Sequence, residues 1–218
     1  MAKTSRRGSQ RYTTPAFRPY VTALGQVALA WNDLQDSFAG LFWTTMLSQR
    51  PQAGDVFDYT ALHVWHSIRS DRSQRTMLQA AVNNSSIDWQ RPTLKGDVKW
   101  MLKTADKIED ARNDAIHSPL FAVDHSLYGM TSTSNEPIAP AWWLFNPRAA
   151  KLSQRQNLLH EFRYCRDAAI VLSDYVRGID HALINAQRPW PDRPRLPTRQ
   201  PGNKAKRTPP RSGSDSSL

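Results

Sequence analysis

An arginine and a histidine set close together near one helix end are a minimal pair of groups for breaking a phosphodiester without a metal. The stretch Ala111-Arg112-Asn113-Asp114-Ala115-Ile116-His117-Ser118 offers such a pair. Imidazole titrates near neutrality, so His117 suits proton transfer to or from a reacting oxygen. The guanidinium of Arg112 is a permanent, planar donor matched to phosphate oxygens, where charge builds up in the transition state. RNA carries its own nucleophile, the 2′-hydroxyl, so these two groups cover what its cleavage needs. A purely structural role is the competing reading. Arg112 would then pair with Glu109 or Asp110, and His117 would cap the last carbonyls of its helix.

Spacing alone specifies little, because Arg155-Gln156-Asn157-Leu158-Leu159-His160 has the same form. The Arg112 copy is preferred because Asn113 follows the arginine, the motif closes a helix, and Pro119 fixes where the chain leaves it. Five steps along a helix rotate a side chain by about 500°, which leaves Arg112 and His117 about 140° apart. They converge on one substrate only if the helix unwinds near His117 or a second subunit completes the site. The motif resembles that of the HEPN superfamily, an arginine followed after four to six residues by a histidine, often with asparagine directly after the arginine. The likeness extends over about residues 20–185, with a long aromatic first helix, the motif ending a later helix, an irregular segment and a long final helix. It implies a homodimer with two motifs facing one cleft, and Asn113 supporting the pair by hydrogen bonding. It further implies metal-independent RNA cleavage to 2′,3′-cyclic phosphate and 5′-hydroxyl ends, as in toxin and defence systems with an antitoxin partner. The alternative carried by the same fold is a non-catalytic module that dimerises or binds a partner protein.

Other residues compete for a role. Arg69, Arg72 and Arg75 recur every third position and could form a phosphate-facing strip for RNA, or a solvated face paired with Asp71. His63 and His66, with Asp58, lack a third ligand at convincing spacing, so no metal is expected. Trp142-Trp143 could stack unpaired bases or cover helix ends. Asp33 and Asp36 read as the solvated side of the first helix. A phosphate-binding loop, a dinucleotide fingerprint and a nucleophile elbow are all missing from the sequence, so nucleotide hydrolysis and serine chemistry lack support and no cofactor is expected.

The elements that position these groups read as all-α, an up-and-down bundle of four to five helices with a long irregular or hairpin-containing connection before the last one. The first helix spans about 19–48, with Leu24, Val27, Ala28, Trp31, Leu34, Phe38, Leu41, Phe42 and Thr45 on one stripe. A second spans about 59–83 and breaks near Ser70, where Ser70-Asp71 can cap a new helix. The third, about 93–117, carries Leu94, Val98, Met101, Leu102, Ala105, Ile108, Arg112 and Ile116. The fourth, about 153–186, has a heptad-like seam through Leu158, Phe162, Cys165, Ala169, Leu172, Val176, Ile179 and Leu183, which makes Cys165 a core residue and not a nucleophile. Residues 120–150 are the irregular insertion within a helical domain spanning 19–186.

The net charge of +10 sits on the ends. Residues 1–20 and 185–218 together carry +11, leaving −1 for the stretch between them. A basic tail over 1–18 and a proline-rich basic tail over 187–218 are expected to be disordered, either as solvating tails or as sequence-blind nucleic-acid attractors. One cysteine excludes a disulfide framework. The sequence contains neither a signal-type apolar stretch nor a membrane-length one, which leads to the expectation of a cytoplasmic protein without a membrane partner.

Overall fold

The computed structural model describes residues 18–47, 59–85, 91–116 and 158–199; the insertion at 120–150, the first 17 residues and the last 19 lie outside them. The described residues form five helices and no strand: α1 (Arg18–Leu47), α2 (Thr60–Ser67), α3 (Asp71–Asn83), α4 (Leu94–Ile116) and α5 (Leu158–Ile184).

The buried face of α1 is the expected stripe from Val27 onward, with Trp31, Leu34, Phe38, Leu41, Phe42 and Thr45 all buried. Its first turns differ. Ala23 and Ala30 point inward, whereas Leu24 and Ala28 are exposed, because each is rotated by about 100° from the buried positions Ala23 and Val27. Two buried hydroxyls on this face, those of Ser37 and Thr45, bond the carbonyls one turn back. Ser37 donates to the Asp33 carbonyl at 2.7 Å and meets Ser173 of α5 at 2.7 Å, and Thr45 donates to the Leu41 carbonyl.

The break near Ser70 is real. Ile68 is extended, and the Ser70 hydroxyl accepts from the Ser73 amide at 3.3 Å, capping α3. The carbonyls left open at the end of α2 are taken by Gln74, which donates to Trp65 and Ile68 at 3.0 and 2.9 Å. Trp65, 1% exposed, packs its ring on Phe42 at 5.5 Å and fastens the short α2 to α1.

Cross-helix contacts fix the directions. Gln26 meets Arg166 and Ser37 meets Ser173, so α5 runs parallel to α1. Arg91 reaches Ala182 and Trp100 meets Tyr175, so α4 runs antiparallel to α5. Arg72 and Arg75 meet Asp110 and Asp106, so α3 runs antiparallel to α4. The first helix lies beside the last, and α1 against α5 is the most extensive packing in the fold. The core is continuous, running through Leu34, Phe38, Leu78, Met101, Ile108, Leu172 and Ile179.

One expectation is corrected. Residues 188–199 are not a detached tail: they run as an extended strap along α4 and α5. Trp190 donates its indole N–H to Asp97 at 2.9 Å, Arg193 pairs with the same carboxylate at 2.6 Å, and Arg199 clamps Glu161 with bonds of 2.5–3.0 Å. Pro191 lies so close to Gly178 that a Cβ there would sit 3.3 Å from it. A proline-rich strand has few amides to satisfy, so side-chain anchors suffice to hold it without a ladder of backbone bonds.

Candidate active site at the end of α4

Arg112 lies in the last turns of α4, half-buried, with its guanidinium carbon 4.3 Å from the centroid of the Trp31 ring on α1. Cation–π contact of this kind holds a planar cation face-on to the ring. The Trp31 indole N–H donates to Asp71 at 2.8 Å, which locks the platform against the first turn of α3. Arg112 bonds the side-chain oxygen of Asn113 through Nε at 3.3 Å and Nη2 at 3.0 Å. Adjacent positions on a helix do not face one another, so the long arginine must bend back toward Asn113 to make these bonds.

Glu109 and Asp110 are taken by other cations, and Asp71 by the Trp31 indole. Arg75, with 3% side-chain exposure, pairs with Asp106 at 2.9 Å and makes a short contact with Glu109. Arg72 reaches Glu109 and Asp110 at 3.6 and 3.5 Å. Among the described residues Arg112 has no ion pair within 4 Å. The pairing of Arg112 with Glu109 or Asp110, the structural alternative, is therefore not made. Burial lowers the Arg112 pKa from its ordinary value, against the pull of Asp71 and Glu109. The result is a half-desolvated cation fixed in orientation by Trp31 and Asn113.

His117, the second member of the pair, lies outside the described residues, as do Arg155 of the rival copy, Asp58 and Trp142-Trp143. His160 of that copy is half-buried in the first turn of α5. The proposed strip of Arg69, Arg72 and Arg75 does not form. Arg69 is exposed in the linker between α2 and α3, Arg72 is exposed on α3, and Arg75 is buried beneath it. Three-residue spacing across a helix start does not keep a common face, and the carboxylates that draw Arg75 inward belong to α4. His63 and His66 are exposed on α2, and among the described residues no cluster of His, Cys, Asp or Glu could hold a metal. Asp33 and Asp36 are exposed, as expected. Cys165 is a buried core thiol with its pKa pushed up to about 12, first by burial and then by Glu161, so it is no nucleophile.

Sequence reasoning placed Trp31 in the core stripe and missed its second use as the platform for Arg112. The signal was weak, since a tryptophan on an apolar stripe is ordinarily only packing. Compared by sequence and by structure, the chain matches no protein family, no curated protein and no solved structure. Among the described residues no helix is long and apolar enough to cross a membrane.

Proposed function

We propose that the end of α4 is an RNA phosphate site of the HEPN-like, metal-independent kind, acting in the cytoplasm in a toxin or defence setting. The observation that carries this reading is the half-buried, Trp31-stacked Arg112 whose charge is met by no contacting carboxylate among the described residues. Burying a cation without a counter-charge costs free energy, and a bound phosphate would remove that cost. In this reading Arg112 holds the non-bridging oxygens and Asn113 holds Arg112. His117 handles the proton of the 2′-hydroxyl or of the leaving 5′-oxygen. The 2′-oxygen attacks phosphorus as the bond to the 5′-oxygen breaks, leaving a 2′,3′-cyclic phosphate and a 5′-hydroxyl.

The test is cleavage of labelled single-stranded RNA in the presence of a chelator, with end groups read by mass spectrometry. The wild-type chain should cleave. Arg112→Ala should lower the rate by about 10²–10³-fold, the loss typical of removing one transition-state donor, and His117→Ala should do the same, both with unchanged helical content. Chelator-resistant cleavage that ignores both substitutions would end the reading.

A second reading, a dimerisation or partner-binding module without catalysis, is favoured by one observation. Val21, Leu24, Gly25 and Ala28 form an exposed apolar face on the first turns of α1, and nothing lies within 4 Å of a Cβ at Gly25. This face lies at the same end of the bundle as Arg112. A homodimer formed there would bring two motifs together, so the two readings share this surface and differ only in chemistry.

A further inference from the structure

A separate feature of α4 remains unused by the site at its end. Lys95, Lys99, Lys103 and Lys107 recur at every fourth position, so like charges stand one turn apart along the helix. Such pairs repel and destabilise a helix. Lys99, Lys103 and Lys107 are exposed, and among the described residues none of these three has an ion pair. Three unneutralised lysines in a row are tolerable in water, but they are also a surface waiting for an anion.

The row borders a groove. Between α3 and α4 lies a cleft of about 470 Å³, lined by Arg72, Thr76, Gln79 and Asn83 on one side and by Lys99 and Lys103 on the other. Asp106 is the one carboxylate in its lining, and Arg75 is paired with it. Gln79 and Asn83, hydrogen-bonded to each other at 2.9 Å, add amide donors and acceptors opposite the lysines. The groove's far end adjoins Arg72 and Asp106, within two turns of Arg112.

We infer that this groove and lysine row form a track for the backbone of a single RNA strand leading to the end of α4. The inference rests on the RNA reading above. The shape decides in favour of a polymer. From Lys99 to Lys107 the row extends about 12 Å along the helix, too long for one phosphate and suited to a linear polyanion. The amides facing it could meet the edges of unpaired bases, which duplex RNA would not present.

The test uses the full chain, a fluorescent ten-nucleotide uridine RNA and a ten-residue oligoglutamate. Lys99→Ser/Lys103→Ser is compared with the charge-matched Arg163→Ser/Arg177→Ser on α5. The expected result is weaker RNA binding by the lysine variant, on the order of tenfold at 0.1 M salt. The slope of log affinity against log salt should also be shallower by about 1.4, reflecting two lost phosphate contacts. The control should bind as the wild type does, and the thermal midpoint of the lysine variant should not fall, since a repulsion has been removed. Equal losses in both variants would overturn the track and leave the RNA reading standing. Oligoglutamate binding as tightly as RNA would overturn it in favour of an acidic protein partner. Failure of the wild-type chain to bind RNA would overturn both readings.

Discussion

Replacing a single buried ion or thiol reads out different parts of the cluster around Trp31. Arg75 is held between Asp106 and Glu109 beneath the surface, and removing one member of such a buried pair strands the other charges. Arg75→Ala should therefore cost about 3 kcal/mol, and a calorimetric midpoint should fall by about 6–12 °C. Arg112→Ala should cost far less, on the order of the 1 kcal/mol of an exposed or half-exposed cation–π contact, so its effect on activity is separable from folding. Cys165 and Tyr175 are each pushed up to about 12, first of all by burial. Both groups keep their protons longer in the folded state than in the unfolded one. Their stabilisation is thus complete below about pH 9, the ordinary thiol value, and is lost as pH rises toward 12. Denaturant titrations at pH 8 and pH 11 should show the decline, and a thiol reagent at pH 8 should modify Cys165 only after unfolding. Rapid labelling of the native protein would contradict the burial.

Among the elements, the helices were legible and the strap was not. The three- and four-residue spacing from Val27 to Thr45 and from Phe162 to Ile179 is a direct imprint of burial on one face, and Ser70-Asp71 announced the start of α3. The fate of Arg75 was not legible, because its partners lie thirty residues away on α4 and local spacing carries no trace of them. The Arg112-Asn113 half of the site was legible as a motif, but its platform was hidden in the core pattern. The strap misled for a compositional reason: Pro189, Pro191, Pro194 and Pro197 with their arginines look like an unfolded tail. Trp190 was the one dissenting residue, a large apolar ring that a solvated tail has no use for. Asp97 is the strap's main anchor. Burial would raise its pKa, but the bonds from Trp190 and Arg193 hold it below the ordinary value. That stabilisation is present above the usual carboxylate range and disappears as pH falls through the lowered value. Two truncations test the strap. Ending the chain after Arg199 should leave the melting temperature unchanged. Ending it after Gln187 should lower the midpoint by about 6–12 °C, equivalent to about 3 kcal/mol for a chain of this size. Equal midpoints would show the strap to be ornamental.

At the scale of the whole molecule, the exposed apolar turns of α1 predict self-association. Leu24→Glu should shift the mass measured by light scattering from dimer toward monomer, and if catalysis needs two motifs, cleavage should fall with it. A monomeric wild type would remove the dimer from the proposal while leaving the Arg112 site intact. The parallel run of α1 and α5 has a further effect once the strap is added. Arg18, at the start of α1, lies beyond Gln26 toward the end where α5 begins, and Arg199 is clamped to Glu161 at that same end. Arg18 and Arg199, the two ends of the described residues, therefore lie at one pole of the bundle, the pole that also holds Arg112.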